Sequence, residues 1–289
     1  MGAVVNLLAI ESATDLVGAA VVTSEGRIFE RSHAGGRQHA ELLAPSVDAV
    51  CHEAALAVAD LDAVAVDIGP GLFTGLRVGV ATAKALAQGL GVGLVGVTSL
   101  DVLAADAVAR VAAGTMTGQV GDLTVVAVVD ARRGEVFVAR YRFGSPSGGR
   151  PAAGTGTAGA GGGPGTLVED PAHSPVAGPE LLVPEVLAAS LAAGPPGGGR
   201  TVVVGGGTLR YRDLLRAVPG VDLSVAEEVR APSPVVLARL ALARLEAGEP
   251  LVAPVDLVPE YRRDADAKIN WEQRAPVVPG SPVAPPTPR

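Results

Sequence analysis

The stretch Asp67 to Gly79, DIGPGLFTGLRVG, restricts the folding choices of this chain more than any other. Before it, Val64, Ala65, Val66 and Ile68 form a short apolar run bounded by turn residues, the pattern of a strand covered on both faces. Gly69, Gly71 and Gly75 open backbone angles that other residues avoid, and Pro70 stiffens the turn. Thr74 is placed to cap a helix beginning at Gly75. A helix start of this kind offers free N–H groups to an anion. The same spacing also describes a tight connection that needs glycine only to pack. With Gly93 to Val97 as the next strand, the order is strand, glycine loop, helix, strand, and the chain reads as α/β.

The 289 residues suggest about two domains and enough buried surface for a stable core. Only 3% of residues are aromatic, so that core is built from Ala, Val and Leu. A single cysteine, Cys51, excludes a disulfide framework and a cysteine-based zinc site. The net charge of -7 argues against electrostatic binding of nucleic acid by the whole chain and suits a basic partner surface. The start lacks a signal-peptide pattern, and Asn6 stands where a myristoylation motif needs Ser or Thr. The most apolar stretch, Val78 to Val97, is broken by Lys84 and Gln88. The expectation is a cytoplasmic protein with no membrane span.

Strands are expected over Val4 to Ile10, Gly18 to Thr23 and Arg27 to Ser32. A helix from His39 to about Val58 carries Leu43, Val47, Val50, Ala54 and Val58 at steps of four and three. His39 is expected in its first turn or on the surface. His52-Glu53-Ala54-Ala55-Leu56 fails the H-E-x-x-H zinc-protease pattern at Leu56. The helix Gly75 to Leu90 carries Leu76, Val80, Ala83, Ala87 and Leu90 as its stripe. Gly75, Gly79, Ala83 and Ala87 set small residues one turn apart, so another helix can approach closely. These stripes fit either a partner interface or simple coverage of the sheet.

Strands from Leu123 to Val129 and from Glu135 to Tyr141 flank the turn Asp130 to Gly134. Arg132 and Arg133 there suit a phosphate, tRNA, a partner carboxylate, or pairing with Asp130 and Glu135 across the hairpin. Residues 144–165 form a glycine-rich insertion with few side chains able to pack. A helix is expected over Pro179 to Ala192, then a strand Thr201 to Val204 ending in Gly205, Gly206 and Gly207. Ser233 caps a crossing helix from Pro234 to about Glu246, and the Pro-rich residues 274–289 read as a disordered tail.

Gly69-Pro70-Gly71-Leu72-Phe73-Thr74-Gly75-Leu76-Arg77-Val78-Gly79, with Ala83-Lys84-Ala85-Leu86-Ala87 after it, resembles the signature shared by the TsaD and TsaB/YeaZ proteins of tRNA threonylcarbamoyladenosine synthesis. Two further strings are TsaB-like, Asp130-Ala131-Arg132-Arg133-Gly134-Glu135-Val136 and Val258-Pro259-Glu260-Tyr261-Arg262-Arg263. The catalytic TsaD-like proteins carry V-N-H-x-x-x-H, whose histidines bind a metal; the matching positions here are Ser99 and Leu103. Neither side chain replaces an imidazole ligand, and the four histidines form no compensating cluster in sequence. The TsaB-like side of the resemblance is therefore the closer one.

That resemblance implies the actin, Hsp70 and sugar-kinase-like (ASKHA) fold, duplicated α/β domains around a cleft, here divided as 1–104 and 105–273. It implies no catalytic residues, no metal and no cofactor, with residual nucleotide binding left open. The superfamily's first phosphate turn falls on Glu11-Ser12-Ala13-Thr14-Asp15, without the glycine of D-x-G. Phosphate or nucleotide contacts would fall on Ser12, Thr14, Gly69, Gly71, Arg132, Gly205, Gly206 and Gly207, although Ser and Thr in a turn also bond their own backbone. A partner interface would use Leu43, Val47, Val50, Ala54, Leu76, Gly79, Val80, Ala83 and Ala87. The implied partners are a TsaD-like catalytic subunit, a TsaE-like P-loop ATPase on a separate chain, a second copy when alone, and tRNA through the complex. The rival readings are an active ATPase or small-molecule kinase using Glu11 or Asp130 as base, and a glycoprotease-type peptidase.

Overall fold

The computed structural model describes residues 5–34, 38–114, 122–144, 177–195 and 198–260. Most of the glycine-rich insertion, the tail and the arginines after Tyr261 lie outside these residues. The first unit contains β1 (Leu7–Glu11), β2 (Leu16–Val22), β3 (Ile28–Ala34), α1 (His39–Glu53), β4 (Ala63–Asp67), α2 (Phe73–Leu90) and β5 (Gly93–Val97). Its sheet has the order β3-β2-β1-β4-β5, with β1 antiparallel to β2 and parallel to β4.

The second unit begins with α3 (Ser99–Gly114), β6 (Leu123–Arg132), β7 (Glu135–Phe143), β8 (Ala177–Leu182) and α4 (Pro184–Ala192). It continues through β9 (Arg200–Val204), α5 (Gly206–Arg210), α6 (Arg212–Arg216), β10 (Val221–Asp222) and α7 (Pro234–Glu246). Its sheet, β8-β7-β6-β9-β10, repeats the first in order and in strand direction. Two antiparallel hairpin strands on one side and two parallel strands on the other are found in each. This is a duplicated ASKHA-like α/β fold.

Each sheet is covered on both faces, which is why its central strands read as largely apolar runs. On the first sheet, α1 and α2 press Leu43, Val47, Val50, Val80, Ala83 and Ala87 onto Leu8, Ile10, Ala19 and Val21. The opposite face receives α7, whose Val236, Leu237, Ala238 and Ala241 pack with Leu7, Ala9, Ala63 and Ala65. Helix α3 covers the second sheet, with Leu100, Leu103, Ala104 and Ala107 against Val125, Ala127 and Val202. The boundary expected at 104/105 thus cuts through a helix whose two halves both serve the second core. Tyr141 Oη donates to Asp101 Oδ1 at 2.8 Å, and Arg244 of α7 reaches Asp101 Oδ2 at 3.0 Å and the Gly96 carbonyl at 2.8 Å, tying the units together.

Several expectations are corrected. Helix α2 starts at Phe73 rather than Gly75, its N-cap is Leu72, and Thr74 caps nothing. The start is fixed earlier by the Leu72 N–H, which donates to the Ala13 carbonyl at 2.6 Å. Helix α1 stops at Glu53, and Val58–Asp60 is a separate 3-10 turn. Residues 177–182 are an edge strand paired to β7, so the expected helix over 179–192 begins only at Pro184. His39 lies in the first turn of α1 but is buried, its Nε2 2.7 Å from the Thr14 carbonyl oxygen.

Every residue expected at a partner interface is instead packed inside this chain: Leu43, Val47, Val50, Ala54, Leu76, Gly79, Val80, Ala83 and Ala87 are all buried. The periodic stripe satisfies the chain's own sheet, and only the reverse faces of α1 and α2 meet solvent.

Candidate functional site

The strand ends that face the second unit build a cleft of about 220 Å³. From the first unit it is lined by Ala13, Thr14, Asp15 and Leu72, and from the second by Leu103, Asp130, Arg132 and Arg210 among others. A turn in β6–β7 swings Arg132 outward at φ 63°, a left-handed conformation held by its N–H donating to Asp130 Oδ1 at 2.9 Å. Its guanidinium then bridges the units, 3.0 Å from Asp15 and 3.1 Å from Asp130. Arg210, just after the glycine triplet, meets the same Asp130 oxygen at 3.1 Å. Both carboxylates at the mouth are therefore neutralised by arginine.

Of the expected phosphate contacts, Thr14, Arg132 and Gly206 line this cleft. The others do not. Ser12 is buried and donates to the Gly75 carbonyl at 2.8 Å, inside the junction of α2 with the turn. Gly71 lies so close to Ala13, and Gly75 and Gly79 to Ser12, that a Cβ at any of the three would overlap those atoms. Gly205, at φ 101°, is pressed in the same way onto the Val128 carbonyl, Gly207 packs against the Val128 side chain, and Gly69 sits under Leu76. These glycines permit close packing rather than approach of a ligand.

Behind the cleft lies a carboxyl pair. Glu11 ends β1 and Asp67 ends the neighbouring parallel strand β4, and both are fully buried. Burial, and then the charge of Asp67, pushes the Glu11 carboxyl well above the usual range. Asp67 is also raised by burial, but hydrogen bonds from Glu11, the Gly69 N–H and the Ser99 hydroxyl oppose the rise. The proton therefore sits on Glu11, and Asp67 accepts it. Among the described residues Glu11 Oε2 and Asp67 Oδ2 have no other partner, and one shared proton satisfies both. Ser99, at the first position where TsaD-like proteins carry histidine, spends its hydroxyl on Asp67 Oδ1 at 2.7 Å. Leu103, at the second, is fully buried and closes the cleft floor.

Among the described residues, no three His, Cys, Asp or Glu side chains converge as a metal ion would require. Sequence reasoning overlooked Asp15, Asp67 and Arg210. Asp67 alone had a signal, a carboxylate at the end of an apolar strand immediately before the glycine loop.

A family model described as tRNA N6-adenosine threonylcarbamoyltransferase, TsaD, matches residues 30–152. An uncharacterised protein of Mycobacterium tuberculosis is 45% identical over 138 residues, which is 47% of this chain and 59% of that protein. The Escherichia coli tRNA threonylcarbamoyladenosine biosynthesis protein TsaB is 31% identical over 137 residues, 47% of this chain and 55% of that protein. The matched stretch thus spans little more than half the length of these curated relatives. A Pseudomonas aeruginosa crystal structure, described as similar to the peptidase YeaZ, superposes with a TM-score of 0.65 at 25% identity, covering 90% of this chain and 100% of that one.

Proposed function

With the TsaB/YeaZ family supported by both sequence and structure relatives, we propose that this chain is a non-catalytic subunit in tRNA threonylcarbamoyladenosine synthesis, pairing with a TsaD-like transferase and supporting its activity. The observation that carries the reading is the state of the cleft carboxyls. Glu11 is fully buried beside Asp67, with its carboxyl pushed well above the usual range by burial, while Asp15 and Asp130 are held by arginines, so no described carboxylate of the cleft is poised as a general base. A subunit that works by docking needs no such base. It shifts its partner toward a competent state through differential contacts.

The docking face we assign is the solvent side of α1 and α2. Ala81, Ala85 and Gly89 are exposed at four-residue steps on α2, with Val78 and Leu86 half-buried beside them and Ala44 and Pro45 exposed on α1. Small residues in a line let a partner helix approach closely. Alone, the chain would use this face to pair with a second copy; a TsaE-like ATPase is a separate chain, and tRNA is reached through the complex.

The test is light-scattering mass, alone and mixed with the TsaD-like protein of the same cell, with tRNA modification assayed on the fractions. Ala85→Glu, at an exposed site, is expected to weaken pairing by about 100-fold or more while leaving the melting temperature unchanged. Unaltered pairing by this variant removes the assigned face. Substrate turnover by the chain alone removes the subunit reading in favour of an ATPase or kinase.

A further inference from the structure

The turn over residues 12–15, which follows β1, is both a wall of the cleft and a fastening for α1 and α2. Ala13, Thr14 and Asp15 line the cleft, and so does Leu72, the N-cap of α2. Among the described residues, neither Leu72 nor Gln38, the N-cap of α1, makes a side-chain capping bond. Helix starts without such caps leave backbone groups that need other partners. The first turns of both helices are tied to residues 12–15 instead. The Leu72 N–H donates to the Ala13 carbonyl at 2.6 Å, and Ser12 Oγ donates to the Gly75 carbonyl at 2.8 Å.

On the α1 side the fastening is His39. Its ring is 5% exposed and lies against Gly75 of α2, where an added Cβ would meet Nε2 at 3.2 Å. That nitrogen is 2.7 Å from the Thr14 carbonyl oxygen, and a carbonyl only accepts, so Nε2 carries the hydrogen. One side chain thereby joins α1, α2 and the cleft wall.

The two sides of this turn are held unequally. Towards the helices its bonds are made by buried Ser12 and His39. Towards the second unit it reaches Arg132 through Asp15, with side chains 45% and 63% exposed respectively. Buried hydrogen bonds are costly to leave unmade, whereas exposed ion pairs contribute little. A shift of α1 against α2 therefore carries Thr14 and Asp15 with it, and the bridge at the cleft resists weakly.

We infer that residues 12–15 couple the cleft to the docking face: pairing through α1 and α2 fixes the cleft wall, and the state of that wall sets the strength of pairing. The two states are the cleft with the Asp15–Arg132 bridge made and with it broken. Linkage makes the effect reciprocal. His39 is the positioning residue of this route. The inference rests on the subunit reading and adds to it a regulation of the assigned face.

The experiment is hydrogen exchange of the full chain, alone and saturated with the TsaD-like protein, beside pairing affinities of two variants. Residues 12–15 lie off the assigned face of Ala44, Pro45, Ala81, Ala85 and Gly89, so coverage by the partner does not protect them. Pairing is expected to slow exchange over residues 12–16 about tenfold. His39→Leu removes the N–H donor and keeps an apolar side chain; it should weaken pairing about tenfold and abolish that slowing at saturation. His39→Gln retains a donor and should stay within about threefold of the wild type. If His39→Leu does not fold, the wild-type exchange decides alone. Unchanged exchange at the turn on pairing, or equal pairing by His39→Leu and the wild type, overturns the coupling and leaves the subunit reading intact. Absence of pairing by the wild type removes both.

Discussion

The two units repeat one sheet but finish it in opposite ways. After β4, the crossover lays Gly71, Gly75 and Gly79 onto residues 12 and 13 and runs on as an 18-residue helix, so the turn after β1 is sealed. After β9, Gly205 and Gly207 are pressed onto Val128, but the helix that follows has only 5 residues, and Asp130, Arg132 and Arg210 face the cleft. A shared topology therefore does not duplicate a phosphate site. At the start of α2 one of the donors that could greet an anion, the Leu72 N–H, is occupied by the Ala13 carbonyl. The first unit uses its glycines for packing, and the second keeps its charge at the surface.

The largest effect should come from adding one methyl group to each crossover. Gly71→Ala places a Cβ within the Ala13 backbone and is expected to cost about 3 kcal/mol or more in denaturant unfolding. In Gly206→Ala the new Cβ would lie 3.3 Å from the Arg230 carbonyl, at the start of a helix that favours alanine, and the change should stay within about 1 kcal/mol. Equal costs at the two sites would erase the contrast between a sealed and an open crossover.

The buried carboxyl pair gives a smaller effect with a definite sign. Glu11 holds its proton in the folded chain at a pH where an unfolded glutamate has lost it. The folded state then binds more protons than the unfolded one, and stability falls as pH climbs above the ordinary carboxylate range. Glu11→Gln is permanently neutral and can still donate to Asp67. It should gain on the wild type as pH rises above the ordinary carboxylate range. Parallel stability curves for the two proteins would contradict a protonated Glu11.

The smallest effect is expected where the units meet in solvent. Asp15 and Arg132 are both largely exposed, so Asp15→Ala should change stability by less than about 1 kcal/mol, and less still at high salt. A large, salt-insensitive loss would mean that the bridge, rather than α3 and α7, holds the two units in register.

Much of the fold was legible because local rules and the tertiary fold agree. The apolar runs of β1, β4, β6 and β9, the Ser233 cap and Pro234 start of α7, and the loop before α2 each carry their own signal. Residues 177–182 were misread because an edge strand with little apolar alternation is defined by its pairing with β7, which its own sequence does not reveal. The Leu43 to Ala87 stripes identified the buried side of two helices correctly, but periodicity is the same whether the covered surface is internal or a partner's. The sequence by itself determined the α/β class, the glycine crossovers and the missing histidine pair at Ser99 and Leu103. Only the tertiary structure decided that Ser12 turns into the junction with α2, that Glu11 and Asp67 share a proton, and that Asp15, Asp130, Arg132 and Arg210 meet at one cleft. Asp15 and Arg132 are 117 residues apart in the chain, and no local pattern encodes which distant strand ends a fold brings together.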